Sequence, residues 1–243
     1  MLIKACLNGS RIPGEHPKLP LTPEELARDA QLVVAADARA LHIHPRRADG
    51  QQSLVAHDQA AALSAIRAKC PGIPIGVSTI FFIDSDVALR LQHVQEWTIL
   101  PDFASVNFDE PGTIELCNAL LARGIGVEAG LSSVEEAQLL VKSNIADHLL
   151  RVLIEPGEEE PEAALSNASA IIRCLDEGNI RLPKLLHGFG NAAWPVLEVA
   201  LQHGYDTRIG LEDTLNLPDG RQARDNAELV AFAVKKAKKL GLI

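Results

Sequence analysis

The 243-residue sequence predicts a (β/α)8 barrel, or TIM barrel, formed by residues 1–243 as a single domain. Eight short β-rich segments alternate with longer segments whose apolar residues recur at helical spacing. Strict alternation of this kind predicts parallel strands joined by crossover helices. Eight such units in roughly 250 residues are the usual size of a closed barrel. No linker-like stretch separates one part of the chain from another.

The predicted strands are short apolar runs, and they comprise residues 2–9, 40–45, 74–79, 103–108, 124–130, 148–156, 184–190 and 206–213. The predicted helices follow them, over residues 21–37, 53–70, 86–97, 112–124, 133–143, 162–178, 192–204 and 224–241. The first helix begins with Thr22 as its cap, Pro23 at the first helical position and Glu25 three residues after the cap, which is a capping box. Glycines fall where three of the helices are expected to stop, at positions 124, 178 and 204.

A doubly wound open sheet is the competing architecture, and it predicts a glycine-rich first turn that binds a dinucleotide. The turn after the first predicted strand reads NGSRIPG, which lacks the G-x-G-x-x-G pattern. The barrel is therefore favoured, and the sequence gives a dinucleotide site little support.

Charge and cysteine usage exclude several classes of protein. A net charge of −9 and a pI near 5.4 argue against nucleic-acid binding, and the basic run KKAKK is interpreted as the solvated face of the last helix. The four cysteines form no C-x-x-C pair, which argues against a zinc ribbon and is typical of reduced thiols in a cytoplasmic protein. We expect no signal peptide and no membrane span, because the N-terminus turns polar early and no apolar run is long enough.

Polar side chains gather at the ends of the predicted strands, where the active sites of barrels lie. Buried polar groups cost free energy unless they are paired, so a ring of them at one end predicts a polar site. The ring comprises Asn8, His42, His44, Ser78, Thr79, Ser105, Asn107, Glu128, Glu155, His187, Arg208, Glu212 and Asp213.

The His-x-His pair at His42 and His44 predicts a metal site. Residues two apart on a strand share a face, so both imidazoles can be directed at one point while Ile43 packs the other way. The first and eighth strands are neighbours in a closed barrel, and Glu212 on the eighth would complete a His2Glu zinc site. A pair of structural histidines is the alternative interpretation, and manganese, iron or cobalt are the alternative metals.

Arg208 and Asp213 form a second predicted pair, on the eighth strand. A buried arginine is nearly always paired, and a carboxylate suits its forked guanidinium. The competing interpretation is a salt bridge that only closes the barrel. His187 precedes the glycines of GFGN, and the sequence leaves open whether it belongs to the site or to a tight turn.

Five motifs together have a family likeness: NGS at the first strand, HPKLPLTPEELA after it, HIHPR on the second, VST on the third and RIGLED on the eighth. The chain resembles the β-keto acid cleavage enzymes, nearly end to end. His-x-His-x-Arg followed far downstream by Arg-x-Gly-x-Glu-Asp is specific as a combination, whereas either motif alone is not.

The resemblance implies a zinc-dependent (β/α)8 barrel, usually a homo-oligomer such as a dimer or tetramer. It also implies a Claisen-type exchange in which a β-keto acid and acetyl-CoA give acetoacetate and a new acyl-CoA. His42, His44 and Glu212 match the family's zinc ligands, and the zinc would polarise the ketone as a Lewis acid. Arg208 and Asp213 match its catalytic pair. The residues expected to bind substrate are Arg11, Ser78, Thr79, Asn107 and Glu128.

Arg11 departs from the family pattern. In members that act on amines, an acidic residue follows the glycine and small residue of the first-strand motif, whereas here Arg11 follows NGS. A cation at that position would repel an amine and pair with a carboxylate. We therefore expect a β-keto acid with an anionic or polar tail, and the alternative is that Arg11 simply points to solvent.

Two other classes of function compete with this one. Zinc hydrolases of the amidohydrolase type also use His-x-His in a barrel, but on the first strand and with further histidines on the fifth and sixth. Here the fifth strand offers Glu128, and His148 is at the wrong end of the sixth. A catalytically silent, metabolite-binding barrel would have lost part of its site, yet the predicted ligands and catalytic pair are complete.

Overall fold

The computed structural model describes residues 1–243 and contains eight parallel strands arranged as a barrel. Each strand pairs with the next from β1 to β7, and β1 also pairs with β8. The ring closes where Leu185 bridges Asp206, since the Leu186 amide donates to the Asp206 carbonyl at 2.9 Å. The predicted fold is thereby confirmed. The strands are β1 (Ile3–Cys6), β2 (Ala40–Ile43), β3 (Ile75–Ser78), β4 (Phe103–Asn107), β5 (Gly126–Leu131), β6 (Arg151–Ile154), β7 (Lys184–Leu186) and β8 (Thr207–Ile209).

A helix follows every strand, as the alternating pattern predicts. The first begins at the predicted capping box: Thr22 Oγ1 accepts from the Glu25 amide at 3.2 Å, and the Glu25 carboxylate accepts from the Thr22 amide at 3.1 Å. None of the helices combines the length and the apolarity needed to cross a bilayer. The helices are α1 (Pro23–Ala35), α2 (Ala56–Lys69), α3 (Val87–Glu96), α4 (Thr113–Ala122), α5 (Val134–Lys142), α6 (Pro161–Glu177), α7 (Ala193–His203) and α8 (Asn226–Lys239).

Several strands are shorter than the sequence predicts. Because β8 ends at residue 209, Glu212 and Asp213 lie in the turn that follows it rather than on the strand. His187 lies just beyond β7, and His148 lies in a short 3-10 turn before β6. The predicted strands were too long because an apolar run in the sequence indicates burial and not strand pairing as such. The loops that pack on the end of the barrel are also buried, for example at Leu211.

The interior of the barrel is filled by an aromatic ring and an ion pair. Phe103 lies across Gly76, where a Cβ atom would overlap the ring. Lys4 lies 5.4 Å from the centre of that ring and pairs with Glu128, and both charged residues are fully buried. The outward-facing residues of the strands instead pack with the helices into one continuous apolar core.

Candidate active site

A polar cavity of about 490 Å³ opens at the carboxyl ends of the strands. Only three of its 18 lining residues are hydrophobic, so the cavity suits a polar ligand. The predicted site residues that line it are Arg11, His42, His44, Ser78, Asn107, Arg208 and Glu212. The predicted site residues outside the lining are Thr79, Glu128 and Asp213.

His42, His44 and Glu212 come together as a group whose geometry fits a metal ion. Nε2 of His42 lies 3.1 Å from Nε2 of His44, and Oε1 of Glu212 lies 3.7 and 3.8 Å from those two nitrogens. Ligand atoms about 2.1 Å from a tetrahedral ion are about 3.4 Å apart, so the three atoms can share one ion. The other Glu212 oxygen is buried without a hydrogen-bond partner, as expected of a carboxylate arranged for a ligand.

Both imidazoles are electrically neutral, which is the state that a metal ligand needs. Burial, with the neighbouring His44 adding to it, holds the pKa of His42 well below its ordinary value. Burial also lowers the pKa of His44, although the Glu212 carboxylate opposes that shift. Each ring therefore has a nitrogen lone pair at neutral pH.

Three neighbouring residues hold this group in place. The Asn8 side chain donates to the His44 carbonyl and accepts from its amide, both at 2.9 Å, which fixes the end of β2. The Gln52 side-chain oxygen contacts Nδ1 of His44, and a proton on that nitrogen leaves Nε2 free for a metal. Gly9 has a φ of 51°, and a Cβ atom there would overlap the Glu212 side chain. Gln52 was not predicted, because it lies in an irregular loop outside every motif.

The Arg208 guanidinium is held between two carboxylates. Its Nε and Nη2 donate to Oδ1 of Asp213 at 3.1 and 2.7 Å, and Nη2 also donates to Oε1 of Glu212 at 2.8 Å. Burial alone would lower the pKa of Arg208, but Asp213 and Glu212 outweigh it and hold the pKa above its ordinary range. Burial raises the pKa of Asp213, although Arg208 opposes that shift. Arg208 is therefore a permanent cation at the cavity wall.

Thr79 and Glu128 have partners inside the protein where the sequence predicted contact with substrate. Thr79 Oγ1 donates to the Ser105 carbonyl at 2.7 Å. Glu128 accepts from Lys4 at 2.5 Å and from the Ser105 hydroxyl at 3.0 Å, and Arg151 Nε lies 3.3 Å from its other oxygen. Burial alone would raise the pKa of Glu128, but Lys4 and Arg151 outweigh it and hold the pKa low. Contact with substrate therefore stays a prediction for both residues, and their partners inside the protein offer a structural role as the alternative. The sequence signal for the pairing of Glu128 was the lysine inside the apolar strand LIKACL.

Arg11 lies at the cavity wall rather than in open solvent, and it is paired. Its Nε donates to the Leu211 carbonyl and its Nη1 to Oε2 of Glu15, both at 3.0 Å. Glu15 also lines the cavity, and a hydrogen bond from the Ile12 amide, together with Arg11, lowers its pKa. Glu15 was not predicted, since no motif marks a contact across this irregular loop.

The remaining wall of the cavity is formed by polar loops. Ser78 Oγ accepts from the Ile80 amide at 3.3 Å, and Asn107 donates to Glu110 at 3.0 Å. Glu155 lines the cavity beside His187, and both belong to the ring of polar residues that the sequence predicts, although neither was given a specific role there. No histidine on β5 or β6 reaches the cavity, so the amidohydrolase alternative lacks its further ligands. Ser10, from the NGS motif, also lines the cavity. The other lining residues that the sequence did not indicate are Ile80, Asp109, Ser132, Glu136, Leu153, Gly157 and Phe189.

Known proteins similar to this chain include two enzymes of one kind. The 3-keto-5-aminohexanoate cleavage enzyme of Fusobacterium nucleatum subsp. nucleatum is 29% identical over 261 residues, which cover 99% of this chain and 92% of that protein. The enzyme of the same name from Acetoanaerobium sticklandii is 25% identical over 277 residues, covering 99% of this chain and 93% of that protein.

A solved structure of ObcA in binary complex with oxaloacetate has a TM-score of 0.74 with this chain at 19% identity. The match covers 93% of this chain but 64% of ObcA, so the chain spans less than two thirds of the length of that protein. A likeness at this identity shows the fold alone, and it agrees with the barrel.

The description "beta-keto acid cleavage enzyme" belongs to a family model that matches residues 1–243. This match confirms the resemblance carried by the NGS, HIHPR and RIGLED motifs, and the chain belongs to the β-keto acid cleavage enzyme family.

Proposed function

We propose that this protein converts a β-keto acid and acetyl-CoA into acetoacetate and a new acyl-CoA by Claisen and retro-Claisen steps. One observation carries the proposal: the group of His42, His44 and Glu212 opens into a polar cavity directly beside the Arg208 guanidinium. The family match over the whole chain supports the β-keto acid. A ternary complex of ObcA with a C4-CoA adduct and oxalate supports a CoA thioester as co-substrate.

Zinc at His42, His44 and Glu212 is part of this proposal, and the interatomic distances and neutral imidazoles support it. When bound, such a metal supplies Lewis acidity at an oxygen of the substrate. The same donor set also suits manganese, iron or cobalt, so the elemental analysis of the purified protein has to measure these three metals beside zinc.

Arg208 supplies positive charge next to the proposed metal site. A cation fixed in a buried wall stabilises the negative charge that develops on an enolate oxygen. Asp213 orients the guanidinium through two hydrogen bonds, at 2.7 and 3.1 Å. Because a guanidinium keeps its proton, Arg208 binds and stabilises rather than accepts a proton. Ser78 and Asn107 offer a hydroxyl and an amide to the substrate from the same cavity.

Arg11 and Glu15 would contact the tail of the substrate at the mouth of the cavity. The negative charge of Glu15 balances the positive charge of Arg11. The Nε and Nη1 atoms of Arg11 donate to Leu211 and Glu15, which leaves Nη2 to donate a hydrogen bond to a substrate. This arrangement supports a polar tail that accepts a hydrogen bond and disfavours an amine. Homo-oligomerisation and a cytoplasmic location stay predictions of the sequence.

The test compares metal content and activity in the wild type, His44→Ala and His57→Ala. His57 is an exposed histidine of α2 and serves as the matched control. We expect about one zinc per chain in the wild type and the control, and none in His44→Ala. Acetoacetate should form from acetyl-CoA in the first two proteins, fastest with a β-keto acid that has a neutral polar tail. Full metal binding by His44→Ala, or no turnover of any β-keto acid by the wild type, would refute the proposal.

A further inference from the structure

Glu155 is a cavity carboxylate that no cation neutralises by direct contact. It follows β6, lines the cavity and is 15% exposed. Its neighbour is His187, whose Nε2 lies 3.3 Å from Oε2 of Glu155. The other ring nitrogen of His187 lies 3.6 Å from Oδ1 of Asp213. The imidazole therefore lies between the cavity carboxylate and the residue that orients Arg208.

The surrounding residues keep this arrangement in place. Gly130 provides the space for Glu155, because a Cβ atom there would overlap its Oε1. The Phe189 ring packs edge-on against His187, with 4.9 Å between the ring centres. Burial keeps the pKa of His187 well below its ordinary value, so the ring is neutral and carries a single N–H. We place that N–H on Nε2, because Nε2 is within hydrogen-bond distance of Glu155 whereas Nδ1 has no hydrogen-bond partner.

The other acidic residues near the cavity are less suited to accept a proton. Asp213 forms an ion pair with Arg208, and Glu128 forms an ion pair with Lys4. Glu15 accepts from Arg11. Glu136 accepts from the Ser132 amide and from the hydroxyls of Ser132 and Ser133. Asp109 also lines the cavity but is exposed to solvent, and Glu212 belongs to the proposed metal site. Among the remaining carboxylates, Glu155 alone has only a neutral imidazole as its direct partner.

We propose that Glu155 is the catalytic base that takes the C2 proton of the β-keto acid and returns it to acetoacetate, and that His187 positions it. This inference rests on the proposed function. In the first step the C2–H bond breaks and an O–H bond forms on Glu155, and the electron pair becomes an enolate beside Arg208. In the last step that O–H bond breaks, and the C2–H bond of acetoacetate forms. The proton is thereby conserved over the cycle.

The protonation behaviour of Glu155 suits this task. Burial raises its pKa to about 8, although Arg208 and Lys4 oppose the shift. A base whose pKa lies near the working pH accepts and releases a proton with comparable ease. The charged and titratable groups that face it are His187, Arg208, Lys4, Glu212 and Glu128.

The experiment follows deuterium exchange at C2 of the β-keto acid in D2O, together with acetoacetate formation, in metal-loaded enzyme. For Glu155→Gln we expect exchange and kcat to fall by about 100- to 10,000-fold, with KM and metal content unchanged. Glu155→Asp, which keeps a carboxylate, should recover part of the exchange. Glu162→Gln, an exposed glutamate at the start of α6, is the control and should behave as the wild type. Equal metal content in all four proteins shows that the folded site is intact.

His187→Leu tests the positioning role. It removes the hydrogen bond to Glu155, so the acid limb of the kcat/KM profile should move to higher pH while the metal content stays the same. Exchange in Glu155→Gln at the wild-type rate would overturn the inference and leave the proposed function standing. A wild type that exchanges C2 deuterium through Glu155 but forms no acetoacetate would refute the proposed function and support the base. A wild type that neither exchanges nor turns over any β-keto acid would overturn both.

Discussion

Replacing Lys4 by methionine tests whether Glu128 is part of the barrel core or part of the substrate site. The Lys4 ammonium lies 2.5 Å from Glu128, and neither side chain is exposed to solvent. Methionine preserves most of the length of the lysine side chain but leaves the Glu128 carboxylate without its closest cation. Arg151, 3.3 Å from the other oxygen, and the Ser105 hydroxyl remain as partners.

Breaking a buried ion pair from one side typically costs about 3–5 kcal/mol of unfolding free energy, because a charge is left buried without its partner. Since Arg151 and Ser105 still solvate Glu128, we expect a loss near the lower limit, about 3 kcal/mol. For a chain of this size that loss corresponds to a fall in Tm of roughly 6–12 °C. The double variant Lys4→Met/Glu128→Gln removes the stranded charge and should recover about 1–2 kcal/mol of the loss.

Urea unfolding at pH 7.5 measures these differences, and steady-state kinetics measures KM in Glu128→Gln. Lys236→Met is the control, because it breaks a surface ion pair with Glu198, and such pairs contribute roughly 0–1 kcal/mol. A loss in Lys4→Met no larger than in this control would refute the structural role of the pair. A large rise in KM for Glu128→Gln without any loss of stability would instead support the predicted contact with substrate.

Two further substitutions test separate parts of the structure. Gly9→Ala introduces a Cβ atom that overlaps the Glu212 side chain, at a residue whose φ is positive. We expect zinc affinity to fall at least tenfold, as measured by competition with a chelator. An unchanged affinity would contradict the role of Gly9 in making room for Glu212. Burial raises the pKa of Asp29 to about 7, although Asn226 opposes it, so the folded state keeps a proton that the unfolded state loses above about pH 4. The contribution of Asp29 to the free energy of unfolding should therefore fall by up to about 4 kcal/mol between pH 4 and pH 7, and stay constant at higher pH. Asp29→Asn should remove that slope in urea unfolding at pH 5 and pH 8, and a parallel pH dependence in both proteins would contradict it.

Sequence rules predicted the features that depend on neighbours along the chain. The capping box of Thr22 and Glu25 and the shared face of His42 and His44 follow from helix and strand geometry alone, and both are present. The partner of Glu128 could not be predicted in this way, because the contact with Lys4 spans 124 residues and depends on barrel register. A position at the end of a strand indicates that a side chain lies near the site. Whether that side chain contacts a ligand depends on the hydrogen bonds and ion pairs it forms in the folded barrel, which the sequence does not reveal.

The end of β1 explains why the proposed metal ligands can meet although the histidines lie at the end of β2 and Glu212 lies in the turn after β8, on opposite sides of β1. β1 pairs with β2 on one side and with β8 on the other, so Glu212 has to cross the end of β1 to reach His44. Gly9 provides the passage, since it has no side chain where Glu212 crosses. Asn8 fixes the far side by holding both backbone groups of His44. The Asn-Gly pair therefore acts as a brace between ligands, which gives a physical reason why NGS accompanies the His-x-His and Glu-Asp motifs without supplying a ligand itself.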